Sequence, residues 1–272
     1  MKLTRRVTFS SGHRYWLDGL SDEENKKLFG KWASRFNHGH NYILEVTVQG
    51  KIDPSNGMVI NIKSIDAILK DRVVREFDQK SLNDEVLEFR DIATTTENIA
   101  LAIWRRIQDM PSQAKLTRIR LCETPNLFVD VTNGGSEVTL TRVYEFSASH
   151  RLHSPALSDA ANVELFGKCN NPAGHGHNYQ LEVAVGGKPD ARTGMLADIE
   201  RIDAIVSREV VDRYDHKHLN VDLPDFEGKN PTTEILTKTI FERLEKTLPV
   251  KLEKIIIRET ARNFFEYSGE DE

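Results

Sequence analysis

The sequence predicts an α+β chain built twice, each unit a four-stranded antiparallel sheet with two helices on one face. Three observations lead there. First, landmarks recur at a fixed offset of 137 residues: His13 and His150, Phe29-Gly30-Lys31 and Phe166-Gly167-Lys168, HGHNY at 38–42 and at 175–179. Second, apolar and polar residues alternate directly after each HGH. Third, apolar residues then recur at helical spacing. A constant offset over this distance marks a duplicated unit of about 135 residues, an ordinary domain size. The glycines of TNGGSE at 132–137 break any regular element, so the expected domains are 1–136 and 137–272.

Each unit reads in the same order. A strand opens at 3–13 or 139–150. After HGH, Tyr42, Leu44, Val46 and Val48 point to one face, as do Tyr179, Leu181, Val183 and Val185. Ile62, Ile65, Ile68, Leu69, Val73 and Phe77 then predict a helix, copied by Ile199, Ile202, Ile205, Val206 and Val210. A second helix starts after Thr95. Thr96 and Glu97 stand near its N-terminus, where free N–H groups favour hydroxyls and carboxylates. Its stripe is Ile99, Ile103 and Ile107, or Leu236, Ile240 and Leu244. Two strands close each unit, around 115–123 and 126–132, and around 251–259 and 263–267. Helices collected on one face of such a sheet bury its apolar side. The open sheet edges could be closed by several units forming a ring.

Composition narrows the function. Hydrophobic residues make up 39% and charged residues 29%, enough apolar side chains for a core, which excludes a disordered chain. No apolar run approaches the ~18 residues of a membrane span, and MKLTRRVTFS has no apolar signal segment. A cytoplasmic protein with no membrane partner is expected. The net charge of -5 supplies no basic field, so no nucleic-acid partner is expected. The two cysteines, Cys122 and Cys169, read as a buried thiol and a reactive one rather than a bridge.

The histidines carry the chemistry. His175 and His177 are i and i+2 at the head of a strand, so both face one side. His150, near the end of the preceding strand, is the candidate third ligand. Three neutral imidazoles with an open fourth position make a catalytic zinc arrangement, although imidazole also suits copper, nickel and iron. His13, His38 and His40 repeat the set. Two exposed surface histidines are the ordinary meaning of a lone HGH; recurrence of the whole set favours a metal. Cys169 lies six residues before His175 in a polar loop, where it could be a ligand, a structural residue or a base. Asp215-His216 could supply the partner a base needs, the carboxylate orienting the ring. His153 and His218 do not recur and read as ordinary polar residues.

The motifs FSASHRL, ELFGKCNNPAGHGHNY, TGML, DHKHLN, PTTE and IRET span nearly all of the second copy. Together they closely resemble the 6-pyruvoyltetrahydropterin synthase and 6-carboxytetrahydropterin synthase family. The resemblance implies the tunnelling or T-fold. It implies a zinc-dependent carbon-oxygen lyase that removes triphosphate from 7,8-dihydroneopterin triphosphate and yields 6-pyruvoyltetrahydropterin, a step of tetrahydrobiopterin biosynthesis. It further implies zinc on His150, His175 and His177, Cys169 as base with Asp215 and His216, and Glu259 with Thr232 and Thr233 on the pterin ring. Sites at subunit contacts are also implied, hence a homo-oligomer, expected as a trimer of tandem chains. The first copy departs from the pattern: Trp32 stands at the cysteine position and Asp78-Gln79 replaces Asp-His, so that copy is expected to be catalytically degenerate while keeping a possible zinc site. Two alternatives remain: the carboxy-forming enzyme, from which the long Cys-to-HGH gap departs, and a non-catalytic pterin- or zinc-binding protein.

Overall fold

A computed structural model of the protein describes residues 1–270. Its residues cluster into two compact units, one of Met1–Thr141 with Gly186–Glu200, the other of Arg142–Val185 with Arg201–Glu272. In the first unit, strands β1 (Lys2–His13) and β2 (His38–Gly50) run antiparallel, followed by β3 (Ala114–Thr124) and β4 (Leu127–Thr132). The sheet order is β4-β3-β2-β1, each neighbouring pair antiparallel. The second unit repeats it with β5 (Glu137–His150), β6 (His175–Gly187), β7 (Lys251–Arg258) and β8 (Phe264–Tyr267), in the order β8-β7-β6-β5. The predicted α+β units of four strands and two long helices are therefore present.

The alternation after HGH sets the inner face. Tyr42, Leu44, Val46 and Val48 are all fully buried. Against them lie the helix starting at Ile62–Leu69 and the helix Thr96–Ile107, whose Ile99, Ile103 and Ile107 are also fully buried. The first of these helices contains a π turn at Lys70–Val74 before it resumes at Arg75–Phe77. The sequence dictates this. The core residues Ile65, Leu69, Val73 and Phe77 are spaced by four and each is fully buried. An α-helix advances 3.6 residues per turn, so a strict spacing of four drifts off the face; one wider turn brings it back. The second unit does the same with Ile202, Val206, Val210 and Tyr214 around the π turn Ser207–Val211. Ile62, expected on the buried stripe, is 47% exposed because it is the first helical residue after the Asn61 cap.

Each unit has two features that apolar periodicity did not predict. Short helices at Asp22–Phe29 and Asp159–Phe166 are started by Ser21 and Ser158 and bridge the two opening strands. A two-residue strand, Lys80–Ser81 or Lys217–His218, pairs in parallel with the end of β1 or β5. It fixes the preceding Asp-Gln or Asp-His turn beside the histidine end of the sheet. Among the described residues, no helix is long and apolar enough to cross a membrane.

Candidate active site and metal centre

Each opening hairpin delivers three imidazoles to the end of the helix-facing side of its sheet. In β1 and β2 the register pairs His13 with His38. Two residues beyond His38 along the same face lies His40. One ring nitrogen from each of His13, His38 and His40 lies within 4.8 Å of the others, and the same holds for His150, His175 and His177. Ring centroids within the second trio are 4.7, 5.3 and 4.9 Å apart. Gly174 permits the turn into β6. Its φ is +74°, and a Cβ there would meet the His218 ring at 2.7 Å and the His150 carbonyl at 3.1 Å.

The supporting contacts fix the tautomers. His150 Nδ1 lies 2.8 Å from the Pro231 carbonyl, and His13 Nδ1 lies 2.7 Å from the Thr94 carbonyl. A carbonyl only accepts, so Nδ1 carries the proton and Nε2 turns its lone pair into the cluster. Burial lowers the His150 and His177 pKa values, and it lowers that of His13 to about 4. His38 is shifted down for the same reason. Neutral rings are the form a metal requires. Nε2 of His13, His40, His150 and His177 and Nδ1 of His175 are buried without a hydrogen-bond partner. A buried lone pair left unpaired costs free energy, and a cation shared by three of them removes that cost. The donor set therefore fits a metal ion with three nitrogen ligands in each unit.

Of the other predicted residues of the second unit, Glu259 and Thr233 stand beside this trio. Thr233 Oγ1 donates to Glu259 at 2.5 Å, and the Glu259 carboxylate lies 3.7 Å from His177 Nε2 and 3.9 Å from His150 Nε2. Thr232 is the N-cap of the helix Thr233–Thr247, its hydroxyl accepting from the Ile235 N–H. Cys169 is half-buried on the short turn Gly167–Asn170, and its carbonyl accepts from the Leu152 N–H at 2.9 Å. That bond ties the thiol-bearing turn to the backbone just past His150. His216 Nδ1 is 2.7 Å from Asp215, leaving Nε2 free to exchange a proton, and the ring is 82% exposed. His216 and His177 both line one open cavity of about 560 Å³, with Ser149, Gly176 and His218. His153, read as an ordinary polar residue, bonds to Asn170 at 3.1 Å.

The Asp-His turn has a structural half that sequence reasoning missed. Asp215 accepts from the Ser147 N–H, as Asp78 accepts from the Ser10 N–H. His216 and Gln79 both adopt left-handed backbone, φ 56° and 58°, and donate their N–H groups back to the Ser147 and Ser10 carbonyls. The aspartate is kept in both units because it pins this turn to the sheet; only the ring beside it differs. A left-handed non-glycine residue costs on the order of 1–2 kcal/mol, which the paired bonds offset.

In the first unit Thr96 bonds to Glu123, whose other oxygen is 3.5 Å from His40 Nε2. Trp32, at the Cys169 position, keeps a buried indole N–H with no partner. Residues 186–200 pack onto this unit: Glu97 accepts from the Leu196 N–H at 2.8 Å and Thr95 donates to the Gly194 carbonyl at 2.8 Å. Burial raises the Glu97 pKa to about 7, and the bonds from the Leu196 N–H and its own backbone N–H only partly counter it. The folded protein therefore holds this proton more tightly than the unfolded one. The stability this supplies is complete below pH 4.5 and is lost as the pH rises through about 7. The total is on the order of 3 kcal/mol. Glu97→Gln should flatten the melting temperature between pH 5 and 8 and raise it at pH 8; a variant that melts lower than wild type at pH 8 would contradict this account.

Comparisons with known proteins show the family. The family model described as 6-pyruvoyl tetrahydropterin synthase matches residues 2–134 and again 139–270. A 6-pyruvoyl tetrahydrobiopterin synthase of Poecilia reticulata is 46% identical over 132 residues, 48% of this chain and 90% of the relative. The human protein of that name is 43% identical over 143 residues, 51% of this chain and 99% of the relative. The solved structure of Caenorhabditis elegans 6-pyruvoyl tetrahydropterin synthase shares 42% identity and covers 49% of this chain and 96% of its own, with a TM-score of 0.48. With two successive matches along its length, the chain belongs to the 6-pyruvoyl tetrahydropterin synthase family and carries that family's unit twice.

Proposed function

We propose that the second unit is a 6-pyruvoyltetrahydropterin synthase-like lyase centre acting on 7,8-dihydroneopterin triphosphate, and that the protein is organised as units 1–136 and 137–272, the first without this activity. The observation that supports it most is the trio His150, His175 and His177, with unpartnered buried nitrogens, placed against Glu259. Zinc held there would supply a Lewis acid that makes the adjoining C–H protons of the substrate more acidic. Cys169 removes one of these protons and returns it to the neighbouring carbon. His216, oriented by Asp215, exchanges the proton with the sulfur. Glu259 accepts two parallel hydrogen bonds from the amidine edge of the pterin, with Thr232 and Thr233 beside it. Triphosphate leaves and two hydroxyls of the substrate become carbonyls, with no external oxidant. Trp32 and Gln79 cannot serve as proton-transfer bases, which is why the first unit is assigned no turnover. A homo-oligomer in the cytoplasm, expected as a trimer of tandem chains, completes this reading.

The test is product identification. Incubated with 7,8-dihydroneopterin triphosphate, the metal-loaded protein should release triphosphate and give the mass of 6-pyruvoyltetrahydropterin. A 6-carboxytetrahydropterin product would move the assignment to the other branch of the family. No consumption of substrate at all would leave a binding protein.

A further inference from the structure

The arginine that follows His13 and His150 is used differently in the two units. In the first unit the Arg14 guanidinium donates two parallel bonds to Asp84, at 2.9 Å each, and further bonds to Asn37 at 3.0 Å and Asp18 at 3.2 Å. In the second unit these three positions hold Val221, Gly174 and Pro155, none with a side-chain acceptor. Arg151 turns instead to Asn170, the residue directly after Cys169. Its Nε–H is shared between Asn170 Oδ1 at 3.0 Å and the Asn170 carbonyl at 3.2 Å. His153 Nδ1 meets the same Oδ1 at 3.1 Å. An amide oxygen only accepts, so His153 Nδ1 carries a proton and donates. The first unit has Ala33 and Trp16 at the positions of Asn170 and His153 and can make neither bond. A second asparagine follows the same rule: Asn230 Oδ1 accepts from the His153 N–H at 3.0 Å, and its counterpart is Ala93. The exchange is concerted. Where the turn carries Trp32 the arginine is tied to Asp84; where it carries the thiol the arginine grips the turn.

We propose that Arg151, with His153, is the positioning residue of the Cys169 thiol, holding the turn Gly167–Asn170 through the Asn170 side chain. This rests on the reading that Cys169 is the base. The bond from the Leu152 N–H to the Cys169 carbonyl ties the turn at one point, and one hydrogen bond acts as a pivot. The bonds to Asn170, one residue on, add a second point and so set the direction of the Cys169 side chain. Asn170 is 6% exposed, so little water competes for its oxygens. The same stretch of chain also carries a candidate metal ligand. Arg151 is next to His150, and Asn230, which holds His153, is next to Pro231, whose carbonyl accepts from His150 Nδ1 at 2.8 Å. The thiol and the imidazole trio are thereby held in register. A base acts only within hydrogen-bond reach of its proton, and a misplacement of about 1 Å can cost on the order of 10²-fold in rate.

The test is steady-state turnover of 7,8-dihydroneopterin triphosphate by the metal-loaded full-length protein. Metal content and affinity for biopterin, which carries no triphosphate to eliminate, are measured beside it. Asn170→Ala should lower kcat on the order of 10²-fold while KM, metal content and biopterin affinity keep their wild-type values. Asn170→Asp keeps the acceptor and should restore most of that rate. Arg151→Met should lose about as much as Asn170→Ala, and the two together little more, since both remove the same bond. In a Cys169→Ala background neither should slow the residual rate further, because both act through the sulfur. A folded Asn170→Ala protein with wild-type kcat overturns the proposal, and so does an equal loss in the Cys169→Ala background. If Asn170→Ala fails to fold, Arg151→Met decides by the same two measurements. Full turnover in Cys169→Ala would instead sink the reading of the thiol as base, and the proposed role of Arg151 with it.

Discussion

Replacing Cys169 by alanine is expected to cut turnover of 7,8-dihydroneopterin triphosphate by about 10²–10⁴-fold, the usual worth of a positioned acid-base group. Metal content should stay at the wild-type value, because the three ligands are imidazoles and the thiol is not among the clustered nitrogens. Biopterin binding should also persist, since Glu259 and Thr233 are untouched. Cys169 sits on a turn held by its carbonyl to Leu152 and is half-buried, so removing its sulfur opens no large cavity and should leave the melting temperature within a few degrees. Cys169→Ser separates the roles further. A serine hydroxyl has nearly the same shape but is a far poorer proton acceptor near neutrality, so the serine variant should resemble alanine in rate. Undiminished turnover in Cys169→Ala would remove the thiol from the mechanism and revive the reading of a binding protein or of a different base.

Replacing His175 by alanine should cost still more. Its expected signature is the loss of one metal ion per protomer, measured by atomic emission after exhaustive dialysis. Loss of a partner that merely supports a ligand costs about 10–100-fold in metal affinity or activity, and loss of a ligand should exceed that. His150→Ala should do the same and should also destabilise the fold, because His150 is 1% exposed and its Nδ1 donates to the Pro231 carbonyl. That bond holds the loop leading into the helix Thr233–Thr247, and so the Thr232–Thr233 pair. Chelation of the wild-type protein should lower its melting temperature, since an ion that binds only the folded form stabilises by about 2.7 kcal/mol at a hundredfold excess over Kd. Metal analysis of His175→Ala also reports on the first unit: an ion retained there should be lost in turn when His38 is replaced. A wild-type protein that keeps no metal under conditions that load other three-histidine sites would overturn the assignment of both clusters.

Much of the architecture is legible in the residues alone. The fixed offset reveals the duplication, because two copies of one fold must repeat their turn and ligand positions. Alternation marks β2 and β6, because successive side chains on a strand face opposite sides and only one side is buried. His38 and His40 can be placed on one face for the same reason, and the His13 and His150 partners follow from the adjacency of the opening strands. The short helices escape notice for a physical reason. Asp22–Phe29 fully buries only Asn25 and Phe29, so it has no apolar stripe to read. Its trace in the sequence is the Ser21–Glu24 capping box. The π turns are implicit in the spacing of four, and ideal helix geometry does not anticipate them.

By itself the sequence determined which groups exist to do chemistry and on which face of which strand they stand, since ligand identity and strand parity are local properties. Only the tertiary structure decided which of those groups are used up inside the molecule. Burial and pairing are set by what packs against a residue from far along the backbone. Glu97 and Glu234 occupy the same motif position, yet one is sealed under Leu196 and the other meets solvent.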